Sequence, residues 1–214
     1  MFKDRIEAGV RLAEELTKYK DDDCIILGIP RGGAIIAKQV ARELKKPWDI
    51  IVPRKIASPF NREIAIGALS QDGSCLIDDN AVSFFNIQKE YINGEIEIEL
   101  LEINRRLLEY RGSVDFPKVE NKDVILVDDG IATGYTFTAA LNSIKKHNPR
   151  KLIAAVPVAP AEVIDMIGKY VDEIICLEIP RMFISVGHNY LNFEQNSDED
   201  VIMLFKQDDN RRFL

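Results

Sequence analysis

Apolar positions at helical spacing open the chain. Ile6, Val10, Ala13 and Leu16 recur every three or four residues before the charged turn Lys20-Asp21-Asp22-Asp23, which predicts an amphipathic helix with that stripe turned inward. The pattern then changes. Cys24 to Ile29 is a continuous apolar run, as expected of a strand buried on both faces of a parallel sheet. Pro30-Arg31-Gly32-Gly33 ends it before a helical segment through Lys45, and a second strand is expected over 48–52. The alternation resumes with strands over 124–127, 152–158 and 173–177, separated by helices over 136–147 and 160–170. Strands separated by helices predict an α/β fold, doubly wound around a mainly parallel sheet.

Between the two halves, residues 64–69 and 74–77 flank Gln71-Asp72-Gly73, which predicts a hairpin inserted outside the main sheet, within a loop-and-hairpin segment over about 57–77. A long helix follows over about 86–111. Its acids Glu90, Glu95, Glu97, Glu99 and Glu102 alternate with Ile and Leu, which reads as a solvated face over a core stripe. The tail from Pro180 is irregular until Ser197-Asp198-Glu199-Asp200 opens a final capped helix. With 214 residues, the chain is expected to form a single domain over 1–214, with a C-terminal hood and tail over about 180–214.

Composition narrows the classes. Hydrophobic residues make up 46% and charged ones 29%, enough for a packed core. The formal charge is -7 and the pI near 5.0, so there is no general basic field for nucleic acid or an anionic membrane; RNA binding through a local patch stays open. The longest apolar stretch, 152–161, is interrupted by two prolines and falls short of the roughly 20 residues that span a bilayer. The charged N-terminal segment lacks the apolar core of a secretory signal, so a cytoplasmic location is expected. Cys24, Cys75 and Cys176 are widely spaced and the chain has two histidines, which argues against a disulfide framework or a zinc site; the three are expected as buried apolar fillers.

Ligands of open α/β sheets bind beyond the carboxyl ends of the strands, so the residues after each apolar run carry the candidate chemistry. The strongest is Asp128-Asp129-Gly130-Ile131-Ala132-Thr133-Gly134-Tyr135-Thr136, an acidic pair and a small-residue loop entering a helix. The loop amides and the helix N-terminus are the parts of a phosphate cradle. Two carboxylates there would repel a bare phosphate, so the ligand must also offer hydroxyls or a metal ion, and a phosphorylated sugar does. Pro30-Arg31-Gly32-Gly33 is a second anion site, and Arg54-Lys55 places two cations at the end of the second strand. A phospho-acceptor aspartate of the receiver or phosphatase kind is the competing reading, and simple capping by Thr133 and Thr136 the structural one.

These residues resemble the 5-phosphoribosyl 1-diphosphate (PRPP) motif of type I phosphoribosyltransferases. The likeness is closer to a largely uncharacterised subgroup, through GIPRGG, RKIASPFNREIAIGALSQDG, VDDGIATG and FISVGHNYLNFEQNSDEDV, and it covers the chain from Cys24 to about Val201. Three positions depart from it: Gly130 replaces a common apolar residue, Asn189 an expected aromatic and Arg62 an expected proline. The resemblance implies magnesium-dependent transfer of the phosphoribosyl group from PRPP to a nitrogen-containing, nucleobase-like acceptor with release of pyrophosphate. It also implies a homodimer. Ile131, Ala132, Thr133, Gly134, Tyr135 and Thr136 would hold the 5-phosphate, Pro30, Arg31, Gly32 and Gly33 the pyrophosphate, and Arg54 or Lys55 would neutralise the leaving group. Asp128 and Asp129 would bind the ribose hydroxyls, directly or through water around magnesium, and stabilise the cationic sugar. Residues 57–73 are the expected lid. Phe183, Tyr190 and Phe193 are candidates to stack on the acceptor and His188 to act on it as acid or base, with structural roles the plain alternative for each. A non-catalytic PRPP or nucleotide sensor would use the same site.

Overall fold

The computed structural model describes residues 1–207; the last part of the expected 180–214 tail lies outside the described residues. Five strands form a parallel sheet in the order β2-β1-β6-β7-β8: β1 (Cys24–Gly28), β2 (Trp48–Ile50), β6 (Asp123–Val127), β7 (Lys151–Val158) and β8 (Glu173–Glu178). Alternate side chains of each strand go to opposite faces. Ile26, Ile125 and Ile153 pack with α1 (Arg5–Glu15) and α2 (Gly32–Leu44), whereas Ile25, Leu27, Val124 and Leu126 pack with α5 (Tyr135–Lys146) and α6 (Ala161–Ile167). The sheet is therefore covered on both sides, which is why its strands read as unbroken apolar runs. No described helix is long and apolar enough to cross a membrane.

The insertion differs from expectation. Beside the hairpin of β4 (Ala65–Leu69) and β5 (Cys75–Ile77), the Arg54–Ala57 segment is itself a strand, β3, and the three make a separate antiparallel sheet in the order β3-β4-β5. Arg54 and Lys55 thus leave the parallel sheet after β2 and sit on the insertion. A short helix, α3 (Asp79–Phe84), precedes the long α4 (Lys89–Arg111). Cys75 corrects the reading of all three thiols as buried, because it is exposed on the edge strand β5 and Cys176 is half-buried.

Two helical faces are also rotated from the predicted ones. In α1 and its C-cap the expected Ala13 and Leu16 are buried, but Arg5, Ala8, Gly9 and Leu12 make up the rest of the inward face and Ile6 is exposed. A Cβ at Gly9 would lie 2.8 Å from Gln39 Cβ, so α1 approaches α2 through its glycine rather than through the larger side chains. In α4 a period of two along Glu95-Ile96-Glu97-Ile98-Glu99 cannot match a helical period of 3.6, so acids fall on both faces. Glu95 and Glu99 are buried with Ile92, Ile103 and Leu107, and Ile98 and Leu101 are exposed. The final helix, α7 (Asp198–Lys206), has the expected capping box, with Ser197 and Asp200 each accepting from the other's backbone. It packs on the core rather than in a hood: Phe205 stacks on Trp48 with ring centroids 4.6 Å apart.

Behind β2, Arg111 at the end of α4 donates NH1 to Asp49 Oδ2 at 2.6 Å, both side chains nearly buried. Arg111→Met withdraws the guanidinium from a buried carboxylate and is expected to cost about 3–5 kcal/mol. Urea unfolding with an unchanged slope would show it; a loss below about 1 kcal/mol would mean the pair is screened by water.

Candidate active site

The connection from β1 runs through α2 to β2 at one side, and that from β6 through α5 to β7 at the other, so the loops after β1 and β6 diverge at adjacent strands. A crevice opens there. After β1, the Pro30-Arg31 peptide is cis and Gly32 begins α2. A Cβ on Gly32 would stand 1.9 Å from Asp129 Oδ2, and one on Gly33 2.8 Å from Asp128 Oδ1. Only glycine lets these two loops touch.

Asp128 and Asp129 follow β6 at the base of a cavity of about 510 Å³. Asp128 Oδ1 accepts the Asp129 amide at 2.8 Å. Asp129 Oδ2 accepts Arg5 Nε at 2.7 Å, with side chains 16% and 10% exposed, so the second acid already has a buried counter-ion. Burial first, and then the charge of Asp129, pushes the Asp128 carboxyl well above its ordinary range. Burial also raises Asp129, against the opposing pull of Arg5.

The next loop divides. Ile131 is buried and its amide donates to Val158 O at 3.0 Å, so it anchors the loop from inside instead of contributing to a cradle. Ala132 and Thr133 are exposed. Gly134, at φ 80°, turns the chain into α5, whose first amides lack intrahelical partners. Thr136 lines the cavity, and the Tyr135 hydroxyl donates to Asp78 Oδ2 at 2.6 Å, tying this loop to the cap of α3.

Arg31, Arg54 and Lys55 line the same cavity although they come from different sheets. Each has an acidic neighbour: Arg31 with Asp198 at 3.4 Å, Arg54 with Glu99 at 2.6 Å, Lys55 with Glu63 at 3.8 Å. The far wall is Phe193, Gln195 and Asn196. Phe183, His188 and Tyr190 do not line this cavity. His188 is exposed in a single turn of 3-10 helix, Gly187–Asn189, and Phe183 is half-buried. Tyr190 is buried between Phe2 and Phe193, and its hydroxyl donates to Asp129 O at 2.6 Å; burial pushes that phenol far up. Its part is therefore to hold the acid-bearing backbone.

Arg5 and the buried acids of α4 are the residues that sequence reasoning missed. Arg5 also donates NH1 to Glu194 O at 2.8 Å and lies 3.9 Å over the Phe193 ring, so it joins α1, the acidic pair and the far wall. An arginine in a first helical turn gives no sign in the sequence that it points inward.

The family model for the phosphoribosyl transferase domain matches residues 3–191. The chain belongs to that family. Among its relatives, Rv0571c of Mycobacterium tuberculosis, named provisionally as a phosphoribosyl transferase, is 36% identical over 202 residues, 94% of this chain and 46% of that protein. This phosphoribosyl transferase domain thus spans about half the length of the curated relatives it matches. The crystal structure of TT1426 from Thermus thermophilus aligns at TM-score 0.79 and 33% identity, over 96% of this chain and 97% of that one. The bifunctional protein PyrR of Actinobacillus succinogenes is 31% identical over 132 residues, 61% of this chain and 56% of its own.

Linkage gives a sign to the buried acid of this domain. The native state holds the Asp128 proton to higher pH than the unfolded chain, whose ordinary value is 3.8, so ionising it lowers stability as pH rises above that value. Asp128→Asn keeps an oxygen for the Asp129 amide and removes the charge. Its thermal midpoint is expected to match wild type near pH 3 and to exceed it increasingly towards neutrality. A variant less stable than wild type at neutral pH would contradict the direction.

Proposed function

We propose that this domain transfers a phosphoribosyl group from PRPP to a nitrogen nucleophile, releasing pyrophosphate. One observation carries the reading: a single cavity is lined by the acidic pair, by the helix start at Thr136 and by the cations Arg31, Arg54 and Lys55. A ligand with a phosphate, a diol and a diphosphate matches that distribution of charge. The amides from Ala132 to Thr136 hold the 5-phosphate, and this remote binding positions the anomeric carbon. Asp128 and Asp129 accept from the ribose hydroxyls and stabilise positive charge as the bond to pyrophosphate breaks. Arg31, the backbone at Gly32 and Gly33, Arg54 and Lys55 receive the leaving group. The acceptor nitrogen enters from the wall of Phe193, Gln195 and Asn196.

The donor set fits magnesium only in part. Among the described residues there is no group of three His, Cys, Asp or Glu side chains placed for a metal, and one oxygen of Asp129 is committed to Arg5. Asp128 and Asp129 would hold the ion through their remaining oxygens or through water. When bound, magnesium supplies charge neutralisation on the diphosphate.

The test is calorimetry with PRPP and magnesium, followed by a pyrophosphate-release assay across purine and pyrimidine bases and amines. PRPP is expected to bind, and Gly32→Ala, whose Cβ collides with Asp129 and Arg5, to weaken binding at least about tenfold with far-UV circular dichroism unchanged. PRPP binding without release for any acceptor would favour a sensor. Failure of PRPP to bind would remove the proposal.

A further inference from the structure

Two buried carboxylates beside the cavity have no part in that reaction. Glu95 and Glu99, one turn apart on α4, are 7% and 4% exposed. Their cations come from the insertion. Arg54 Nε donates to Glu99 Oε2 at 2.6 Å. Arg62, in the β3–β4 connection, donates NH1 and NH2 to the two oxygens of Glu95, each at 3.3 Å, and its NH2 lies 3.9 Å from Glu99 Oε1. Glu99 therefore has Arg54 on one oxygen and Arg62 within reach of the other.

This sharing sets a conflict. Arg54 lines the cavity and holds Glu99 through Nε, so a diphosphate that draws on its other N–H donors pulls the guanidinium's charge away from Glu99. A buried carboxylate deprived of its cation is strongly unfavourable, so Arg54 turns to the diphosphate at low cost only where Glu99 gains another partner. The Arg62 side chain is 65% exposed and needs to move about 1 Å to shorten its contact with Glu99 to hydrogen-bond length. We infer that Arg62 is a positioning residue: one guanidinium nitrogen stays on Glu95 while the other closes on Glu99 as Arg54 turns to the diphosphate, so that Arg62 bridges both acids and tunes diphosphate affinity without touching the ligand. The inference rests on the reading of the cavity as a phosphoribosyl diphosphate site.

A double-mutant cycle at Arg62 and Glu99 tests it, with magnesium pyrophosphate and, separately, ribose 5-phosphate titrated calorimetrically into the full chain. Arg62→Gln is expected to raise the Kd for pyrophosphate about tenfold and to leave that for ribose 5-phosphate within about twofold. Arg62→Lys, which keeps the charge, should recover most of the loss. In a Glu99→Gln background, where no buried charge needs a new partner, Arg62→Gln should change pyrophosphate affinity less than about twofold. Persistence of the loss in that background would mean that Arg62 acts through its general field, and the relay would fall. Equal loss of both ligands, or no loss at all, would overturn it too. If wild type binds neither ligand, the assignment of the cavity itself falls; if it binds both and Arg62→Gln is silent, only the relay does.

Discussion

The site depends on a close approach between two loops that ordinary side chains would forbid. Gly32 and Gly33 let the end of β1 lie against Asp128 and Asp129 at the end of β6, and a methyl group on Gly32 would overlap the Asp129 carboxylate. That contact brings an acidic pair, backbone amides and the starts of two helices to one crevice. It also buries the acids, which is why their proton affinity rises and why Asp129 is accompanied by Arg5.

In a protein of net charge -7, anion recognition has to be local. One cavity collects cations from unrelated elements: Arg31 from the β1 loop, Arg54 and Lys55 from the antiparallel insertion, Arg106 from α4. Each has a carboxylate partner: Asp198 for Arg31, Glu99 for Arg54, Glu63 for Lys55 and Glu102 for Arg106. These acids are more than solubilising decoration. They offset the repulsion among cations in a confined space.

What the sequence displayed and what it hid follow from the range of the interactions. The parallel strands were legible because burial on both faces leaves an unbroken apolar run, and the loops after β1 and β6 because they follow the carboxyl ends of such strands, where an acidic pair, an arginine and glycines stand together. The rotation of α1 was not legible: Ile6 looks like a core residue, yet close packing at Gly9 and the pairing of Arg5 with a residue 124 positions away decide which face turns inward. Glu95 and Glu99 look solvated for the same reason, since their burial is set by Arg54 and Arg62. Tyr190 looked like a stacking surface. Its hydroxyl instead holds the Asp129 carbonyl, a contact that no local pattern announces.

Arg5 gives the clearest case of what such long-range contacts do. Its guanidinium touches Asp129, the Glu194 carbonyl and the Phe193 ring, so the acid and the far wall of the cavity share one group. Phe2, three residues earlier, pairs with Tyr190 on both sides, its amide donating to Asn189 O and its carbonyl accepting from Leu191 N, both at 2.8 Å. The start of the chain therefore fastens residues 189–194 to the acidic pair. A shift of this wall has to be felt at Asp129 through Arg5, which makes the wall and the acidic pair one electrostatic unit although the sequence places them more than 60 residues apart.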